Sequence, residues 1–164
     1  MIDIVCVYNN YDILEKNLLQ SLKLQTARYN LILIDNRTHQ FPSAAKALNY
    51  GGRKANSEYI MFVHQDIYIP DPYWLAIVKA YLNNINDIGI AGVAGMIAGG
   101  YSNKERGRNI IKHGKELELW SWGNPIDKPV PVQSLDECLF IIPKKVFNIY
   151  QFDSKASLVR VLAH

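Results

Sequence analysis

Apolar and polar blocks alternate along the first 97 residues in a way that predicts strands and helices in turn. Four short apolar runs, rich in β-branched residues, have the length and composition of buried strands. They cover residues 2–8, 30–36, 58–64 and 88–95. Between them, helical spacing of apolar residues predicts helices over residues 13–25, 43–52 and 73–83. This alternation is typical of a mainly parallel α/β sheet with right-handed crossovers.

Each predicted helix begins at a capping pattern. The patterns are Asp12 with Glu15, Pro42 with Ser43, and Asp71 with Pro72. A side-chain oxygen at such a position accepts a hydrogen bond from a free N–H of the first turn, and proline is well tolerated at the first helical position. At the far end of the second helix, the pair Gly51-Gly52 is expected to weaken or end it.

The pattern becomes mixed after about residue 97. A polar, glycine-containing loop is followed by an alternating segment, residues 116–122, which predicts a half-buried strand. Residues 132–142 predict a further strand, and Pro143 is placed to begin a short helix. We therefore divide the chain into an α/β half, residues 1–97, and a mixed half, residues 98–164.

Composition limits the class of protein. The 164 residues suit one domain, and a formal net charge of +3 without any long basic run argues against nucleic-acid binding. No apolar stretch approaches the roughly 20 residues that span a bilayer, and the N-terminus lacks the basic region of a signal peptide. Cys6 and Cys138 are expected to be buried free thiols, which suits a reducing compartment. We expect a cytoplasmic protein, with peripheral membrane contact and oligomeric state left open.

Polar side chains follow three of the predicted strands at the point where each strand ends. They are Tyr8-Asn9-Asn10, Asp35-Asn36 and His64-Gln65-Asp66, and Asp136-Glu137 lies on a later strand. In an open parallel sheet, ligands bind outside the carboxyl ends of the strands. One such junction alone is an ordinary strand–loop boundary, where Asn and Asp are common. Because several of them converge on one edge, together they predict a binding site.

Several well-known nucleotide and metal motifs are absent from the sequence. There is no G-x-G-x-x-G after the first strand, no G-x-x-x-x-G-K-[ST], and no C-x-x-C or H-E-x-x-H. Gly51-Gly52 followed by Arg53-Lys54 could suggest a phosphate cradle, but it falls at the end of a predicted helix rather than at its start. An ordinary helix terminus is therefore favoured there. No serine on an elbow-type turn supports Ser-His-Asp catalysis.

The order of these segments resembles the nucleotide-sugar half of the family 2 glycosyltransferases, which have the GT-A fold. The resemblance rests on "VCVYNN", "LILIDN", an A-x-N-x-G run (Ala47, Asn49, Gly51) and "EYIMFVHQD". It covers residues 2–97 well and continues more loosely through residues 132–147 and 152–164. Where the family usually has D-x-D, this chain has His64-Gln65-Asp66, a variant associated with one subgroup. The resemblance implies one GT-A-like domain over residues 1–164, with an open, mainly parallel sheet flanked by helices and a truncated C-terminal end.

The resemblance also implies roles for the polar strand ends. Six residues would contact the nucleotide-sugar donor: Tyr8, Asn9, Asp35, Asn49, His64 and Gln65. Asp66, together with His64, would ligate Mn²⁺ or Mg²⁺, because a hard cation prefers carboxylate and phosphate oxygens. Such a cation stabilises the diphosphate as the glycosidic bond breaks. The alternative for His64 is an ordinary histidine at the end of a strand.

The implied reaction transfers the sugar of the donor, with inversion, to a glycan or another hydroxyl acceptor, as in polysaccharide biosynthesis. A general base would take the proton of the acceptor hydroxyl. Asp136 and Glu137 are the candidates, and Asp136 is preferred because it matches a family position near the reacting sugar. Trp120 and Trp122 share one face of the alternating segment, where tryptophans are more often core than a stacking surface for a sugar.

Two other functions stay open at this point. One is a non-catalytic family member that retains nucleotide binding. The other is a metal-dependent nucleotidyltransferase, which requires a glycine-rich phosphate loop after the first strand that residues 8–17 do not provide. Family members usually continue beyond Phe152-Asp153 into a helix with another acid, whereas this chain ends at His164. We therefore expect this chain to transfer sugar poorly or not at all.

Overall fold

The computed structural model describes residues 1–100, 102–114 and 119–153. Five strands form its main sheet: β1 (Ile2–Tyr8), β2 (Tyr29–Asp35), β3 (Tyr59–Val63), β4 (Ala91–Gly92) and β8 (Leu139–Pro143). Their order across the sheet is β2-β1-β3-β8-β4. β1 is parallel to both β2 and β3, whereas β8 is antiparallel to β3 and β4. The predicted α/β fold with a mainly parallel sheet is therefore confirmed.

Helices connect the strands and cover the sheet. They are α1 (Tyr11–Leu14), α2 (Gln20–Leu22), α3 (Ala44–Lys54), α4 (Trp74–Asn84), α5 (Asn103–Arg106) and α6 (Lys144–Ile149). A π-helical segment, Glu15–Leu19, joins α1 to α2, so that these pieces form one continuous helix between β1 and β2. The short α6 begins directly after Pro143, as predicted.

The first helix starts earlier than the sequence pattern predicts. Its N-cap is Asn10, whose Oδ1 accepts a hydrogen bond from the N–H of Ile13 (3.1 Å). The predicted cap formed by Asp12 and Glu15 is therefore wrong. Asn10 reaches the first turn because β1 ends two residues before it, and Asp12 already lies within the helix.

The other two predicted caps differ in outcome. The Ser43 Oγ accepts a hydrogen bond from the N–H of Lys46 (3.3 Å), which confirms the start of α3. Asp71 instead accepts from the N–H of Tyr73 (2.8 Å), and α4 begins only at Trp74. Asp71 therefore stabilises the turn before the helix rather than the first turn of the helix itself.

Apolar side chains fill the space on both faces of the sheet. Because successive side chains of a strand point to opposite faces, β1 and β3 contribute to both layers. One layer contains Ile4, Cys6, Leu14, Leu18, Leu22, Met61, Leu75 and Leu82. The other contains Val5, Ile34, Ala47, Ile60, Phe62, Phe140 and Phe147. The sheet is thus covered by the first helix and α4 on one face, and by α3 and α6 on the other.

Gly51 and Gly52 lie inside α3, which continues to Lys54. The helix therefore does not end at the two glycines, and the expectation that they weaken it stays a prediction. A Cβ atom on Gly51 would collide with the side chain of Val5, and one on Gly52 would collide with the ring of Phe147. The two glycines let α3 approach the sheet and α6 closely, and both are buried, so they form no phosphate cradle.

Two of the predicted strands are each divided between two sheets. A second, antiparallel sheet has the order β6-β5-β7 and comprises β5 (Ala94–Met96), β6 (Gly107–Asn109) and β7 (Ser134–Leu135). The predicted strand over residues 88–95 is therefore β4 and β5, which separate at Val93. Likewise, the predicted strand over residues 132–142 is β7 and β8, with Asp136-Glu137-Cys138 between them.

Other expectations have partial outcomes. Residues 116–118 of the predicted strand over 116–122 lie outside the described residues, and Trp120 forms only an isolated bridge with His113. Both cysteines are free thiols, Cys6 buried and Cys138 half-buried. Among the described residues, no helix has the length and apolar character needed to cross a membrane.

Candidate functional site

The carboxyl ends of β1 and β2 lie side by side. Tyr8 is opposite Asp35 in the parallel register, and the N–H of Asn36 donates to the carbonyl oxygen of Tyr8 (2.8 Å). β3 pairs with the other side of β1 in the same direction, so His64 leaves the sheet at this edge too. The structure therefore brings together the three polar strand ends that the sequence singles out.

Asp35 is held by Arg37 and Tyr8. The guanidinium of Arg37 donates to both carboxylate oxygens, from Nε to Oδ1 (3.0 Å) and from Nη2 to Oδ2 (2.6 Å). These hydrogen bonds hold the pKa of Asp35 well below its usual range. Burial raises the pKa of Tyr8, and a hydrogen bond to Asp35 raises it further. At neutral pH this corner therefore contains an ionised carboxylate, a guanidinium and a phenol.

Gln65 ties the end of β3 to the end of β1. Its Oε1 accepts hydrogen bonds from the N–H groups of Asn9 and Asn10, both 3.0 Å long. Its Nε2 donates to Oδ1 of Asn9 (2.7 Å). Gln65 and Asn9 are both predicted donor-binding residues. In the structure they bind each other, and this contact positions the loop after β1 next to the loop after β3.

The candidate base lies next to the His64 segment. The N–H of His64 donates to the carbonyl oxygen of Cys138 (2.9 Å), which extends the antiparallel pairing of β3 with β8 by one residue. The N–H of Cys138 in turn donates to Oδ1 of Asp136 (2.9 Å). Asp136 is half-buried and Glu137 is exposed. The second half of the chain therefore contributes two carboxylates to the same edge as Gln65.

Asp66 lies close enough to both thiols to affect their ionisation. Burial raises the pKa of Cys6 to about 12, and the charge of Asp66 adds to this effect. Burial also raises the pKa of Cys138 to about 12, with hydrogen bonding to Asp136 as the next cause. Without a bound metal, both thiols are therefore protonated at neutral pH.

The described residues contain no preformed metal centre. Within the ranges that the structure covers, no group of three or more His, Cys, Asp and Glu side chains is arranged to hold a metal ion. Asp66 is exposed, and no hydrogen bond or ion pair joins its carboxylate to another described side chain. Mg²⁺ is often bound through one or two carboxylates plus substrate phosphates and water. The residues present fit a cation held in that way.

Asn49 has a structural partner in place of the predicted donor. Its Nδ2 donates to the carbonyl oxygen of Phe152 (2.9 Å), and its Oδ1 accepts from the N–H of Phe152 (3.0 Å). Both ends of this buried amide are therefore occupied by the backbone that follows α6. Its contact with a donor stays a prediction.

The two tryptophans have different surroundings. Trp120 is 59% exposed and stacks on the ring of His113, with 4.7 Å between ring centroids. Trp122 is half-buried, and its ring packs over Gly107. The core interpretation is therefore wrong for Trp120. The described part of the chain gives no contact between either tryptophan and the residues assigned to the donor.

The candidate site is separate from the two clefts found among the described residues. These clefts, of about 680 and 550 Å³, lie elsewhere on the molecule. The lining of the larger cleft includes Tyr59 and Lys145, near the start of β3. The lining of the smaller cleft includes Met96 and Trp122. No residue assigned to the donor, the metal or the base lines either of them. We place the site at the strand ends because the convergent polar and charged groups are there.

Arg37 contacts two residues of the candidate site, and the sequence interpretation missed it. The signal available was a basic residue two positions after a strand-ending acid, in "DNR". Such a pair is common in loops, so the pattern alone does not single it out. Because the parallel register places Tyr8 opposite Asp35, the Arg37 side chain contacts both of these residues.

Comparison with protein-family models identifies the chain. Residues 3–150 match the model described as glycosyltransferase-like family. The chain belongs to this family. The match covers both the strand ends of the first half and the Asp136 turn, and it agrees with the resemblance found in the sequence. The assignment of the His64-Gln65-Asp66 variant to a subgroup stays a prediction. A comparison with curated proteins finds no match.

Solved structures show a similar fold. The crystal structure of S. aureus TarS 1-349 is similar over 90% of this chain and 48% of its own, with a TM-score of 0.53 and 15% identity. The structure of TarS 1-349 in complex with UDP-GlcNAc has a TM-score of 0.44 and 18% identity. The similarity covers 63% of this chain and 37% of that one. The crystal structure of HddC from Yersinia pseudotuberculosis has a TM-score of 0.42 and 11% identity. The similarity covers 99% of this chain and 85% of that one. Only the first is close enough to support the fold, and the chain spans about half of the TarS chain it matches.

Proposed function

We propose that this glycosyltransferase-like chain binds a nucleoside-diphosphate sugar at the carboxyl ends of β1, β2 and β3, and transfers the sugar to a hydroxyl acceptor. The observation that carries the proposal is the bond between His64 and Cys138, which sets the His64-Gln65-Asp66 segment beside the Asp136 turn. Family membership supports the reaction type. TarS has been crystallised with UDP-GlcNAc, a ligand of the chemical class proposed here.

The nucleoside would lie at the corner formed by Tyr8 and Asp35. An ionised carboxylate accepts hydrogen bonds from the N–H groups of a base or the hydroxyls of a ribose, and the phenol ring offers an aromatic surface. Asn9, Gln65 and His64 lie along the same edge, toward the place where the diphosphate would follow. Asp35 is already ionised, and the backbone N–H of Arg37 holds its carboxylate in place.

The reaction would be a direct displacement at the anomeric carbon. The acceptor oxygen forms its bond to that carbon on the face opposite the diphosphate, so the configuration inverts. The bond from the carbon to the diphosphate oxygen breaks, and the electron pair leaves with the diphosphate. Asp136 takes the proton of the acceptor hydroxyl, with Glu137 as the second candidate. Both carboxylates lie on the turn next to His64.

A divalent cation, Mg²⁺ or Mn²⁺, would complete the donor site. The Asp66 carboxylate would be its protein ligand, with His64 as a second candidate, and phosphate oxygens and water would fill the remaining positions. When bound, the cation neutralises the charge that develops on the leaving diphosphate.

Thermal unfolding with a panel of nucleoside diphosphates, with and without Mn²⁺, tests the proposal. At a hundredfold excess over Kd, binding adds about 2.7 kcal/mol to the free energy of unfolding, which is about 5–10 °C in Tm for a chain of this size. Asp35→Asn should weaken nucleotide binding about tenfold or more, and Asp66→Asn should remove the effect of Mn²⁺. Asp87→Asn is the matched control, because asparagine also tolerates the positive φ (58°) found there. No stabilisation by any nucleotide would overturn the proposal.

A nucleotide-binding protein without transferase activity is the second candidate. The observation that favours it is the bond from the N–H of Cys138 to Asp136, which already occupies one oxygen of the preferred base. Nucleotide binding without turnover, over a panel of donors and sugar acceptors, would select this candidate over the transferase.

A further inference from the structure

The side chain of Arg37 lies where the proposed function places the nucleoside. Its Nε is 3.0 Å from each carboxylate oxygen of Asp35, and its Nη2 is 2.6 Å from Oδ2. Its Cζ lies 5.8 Å from the centre of the Tyr8 ring. One guanidinium therefore contacts the two groups assigned to the nucleoside.

A guanidinium shares three properties with a nucleobase. It is planar, it presents adjacent N–H donors along one edge, and its face packs against aromatic rings. A carboxylate accepts such an edge in the same way from an arginine or from a base. The Asp35 and Tyr8 pair thus already holds a group with the chemistry of the ligand that it would bind.

We propose that Arg37 sets the affinity of the donor site by competing with the nucleobase for Asp35 and Tyr8, and that the guanidinium leaves Asp35 when a nucleotide binds. This inference rests on the proposed function, because it requires the nucleoside to bind at Asp35.

Two features make the exchange feasible. The side chains of Arg37 and Asp35 are 54% and 40% exposed, and exposed ion pairs are weak, so this one opens readily. The backbone N–H of Arg37 also donates to Oδ1 of Asp35 (3.0 Å). This bond does not involve the side chain, so it keeps the carboxylate in place after the guanidinium has moved away.

Calorimetry on three forms of the full chain tests the inference: the wild type, Arg37→Ala and Arg28→Ala. Both variants remove one positive charge, but Arg28 precedes β2, at the opposite end of the strand from Asp35. The ligands are uridine, cytidine, adenosine and guanosine diphosphates, with inorganic pyrophosphate as the ligand without a nucleoside. The affinity of the best nucleotide divided by that of pyrophosphate isolates the nucleoside's contribution from the charge effect.

We expect Arg37→Ala to raise this ratio by about two- to fivefold, the range given by a weak exposed ion pair, and Arg28→Ala to leave it unchanged. This increase in the affinity ratio should be smaller at 1 M salt, because salt screens the ion pair between Arg37 and Asp35 in the wild type. Nitrogen NMR should show the Arg37 Nε–H leaving its hydrogen-bonded position as the nucleotide is added.

Two results would overturn the inference in distinguishable ways. If a nucleotide binds all three proteins with the same ratio, or if the Arg37 Nε–H stays on Asp35 at saturation, the competition is wrong and the proposed function stands. If no nucleotide binds any of the three, both the inference and the proposed function are wrong.

Discussion

Gln65 and Asn9 bind each other through two hydrogen bonds that run in opposite directions. The N–H of Asn9 donates to Oε1 of Gln65 (3.0 Å), and Nε2 of Gln65 donates to Oδ1 of Asn9 (2.7 Å). The residues are far apart in sequence, so their contact joins the loops that follow β1 and β3. A side chain predicted from the sequence to contact the donor therefore also holds the donor edge together.

The first prediction concerns this contact. Gln65→Ala removes three hydrogen bonds at a partly exposed site, so we expect it to lower the free energy of unfolding by about 1–2 kcal/mol. Gln65→Glu retains the acceptor but loses the donor to Asn9. Its free energy of unfolding should lie between those of the wild type and Gln65→Ala. Urea denaturation measures the effect, with Gln20→Ala on the exposed side of α2 as the control. Equal stability of Gln65→Ala and the wild type would show that the contact does not hold the edge.

A second prediction concerns Asp3, which is buried at the start of β1. Its carboxylate accepts hydrogen bonds from the side chain of Asn30, the N–H of Asn56, and both the N–H and hydroxyl of Ser57. Burial acts to raise the pKa of Asp3, but these bonds outweigh it and hold the pKa below its ordinary value. Asp3 therefore joins β1 to β2 and to the segment before β3 as an ionised group.

Asp3→Asn should lower the free energy of unfolding by about 1–3 kcal/mol at pH 7. Because the folded state depresses the pKa, the stabilisation is complete above the unfolded value of about 3.9 and is lost as the pH falls through the folded value. The difference between wild type and variant should therefore shrink below about pH 4. Denaturation over pH 2–7 measures it, with Asp87→Asn as control. A difference that is constant with pH would show that Asp3 is not ionised in the folded protein.

The first half of the chain was predictable because its signals are local. Apolar runs place β1, β2 and β3 within a residue or two, and Ser43 marks the start of α3 as expected. The end of α3 was misjudged at Gly51 and Gly52 because helix propensity describes an isolated helix, whereas here the lack of a Cβ permits contact with Val5 and Phe147.

The second half was less predictable because its strands depend on distant partners. Residues 88–95 form a continuous apolar run, yet β4 pairs with β8 while β5 pairs with β6 and β7. No local pattern marks the residue at which the chain passes from one sheet to the other. The position of Arg37 on Asp35 and Tyr8 likewise depends on pairing between strands, so it could be found only from the structure.

A third prediction concerns the thiols. Cys6 and Cys138 both have their pKa raised to about 12, chiefly by burial, so at pH 8 each should react with iodoacetamide roughly a thousandfold more slowly than a free cysteine. Asp136 contributes to the shift of Cys138, so Asp136→Asn should speed alkylation of Cys138 and leave Cys6 unchanged. Peptide mass spectrometry distinguishes the two sites. Equal acceleration at both cysteines would indicate general loosening of the fold instead.

The last prediction decides which carboxylate is the base. Asp136 accepts a hydrogen bond from the N–H of Cys138, which fixes its position beside His64, whereas Glu137 is exposed on the same turn. A fixed carboxylate suits a base that must meet one hydroxyl of a bound acceptor. With a donor and acceptor that support turnover, Asp136→Asn should lower kcat by about 10²–10⁴ and leave the Kd for the nucleotide unchanged. Glu137→Gln, the matched loss of a neighbouring charge, should have little effect on either quantity. Thermal unfolding of both variants shows whether a loss of activity reflects a loss of the fold. A large loss of kcat in Glu137→Gln with a fully active Asp136→Asn would assign the base to Glu137 and leave Asp136 the role of holding the turn.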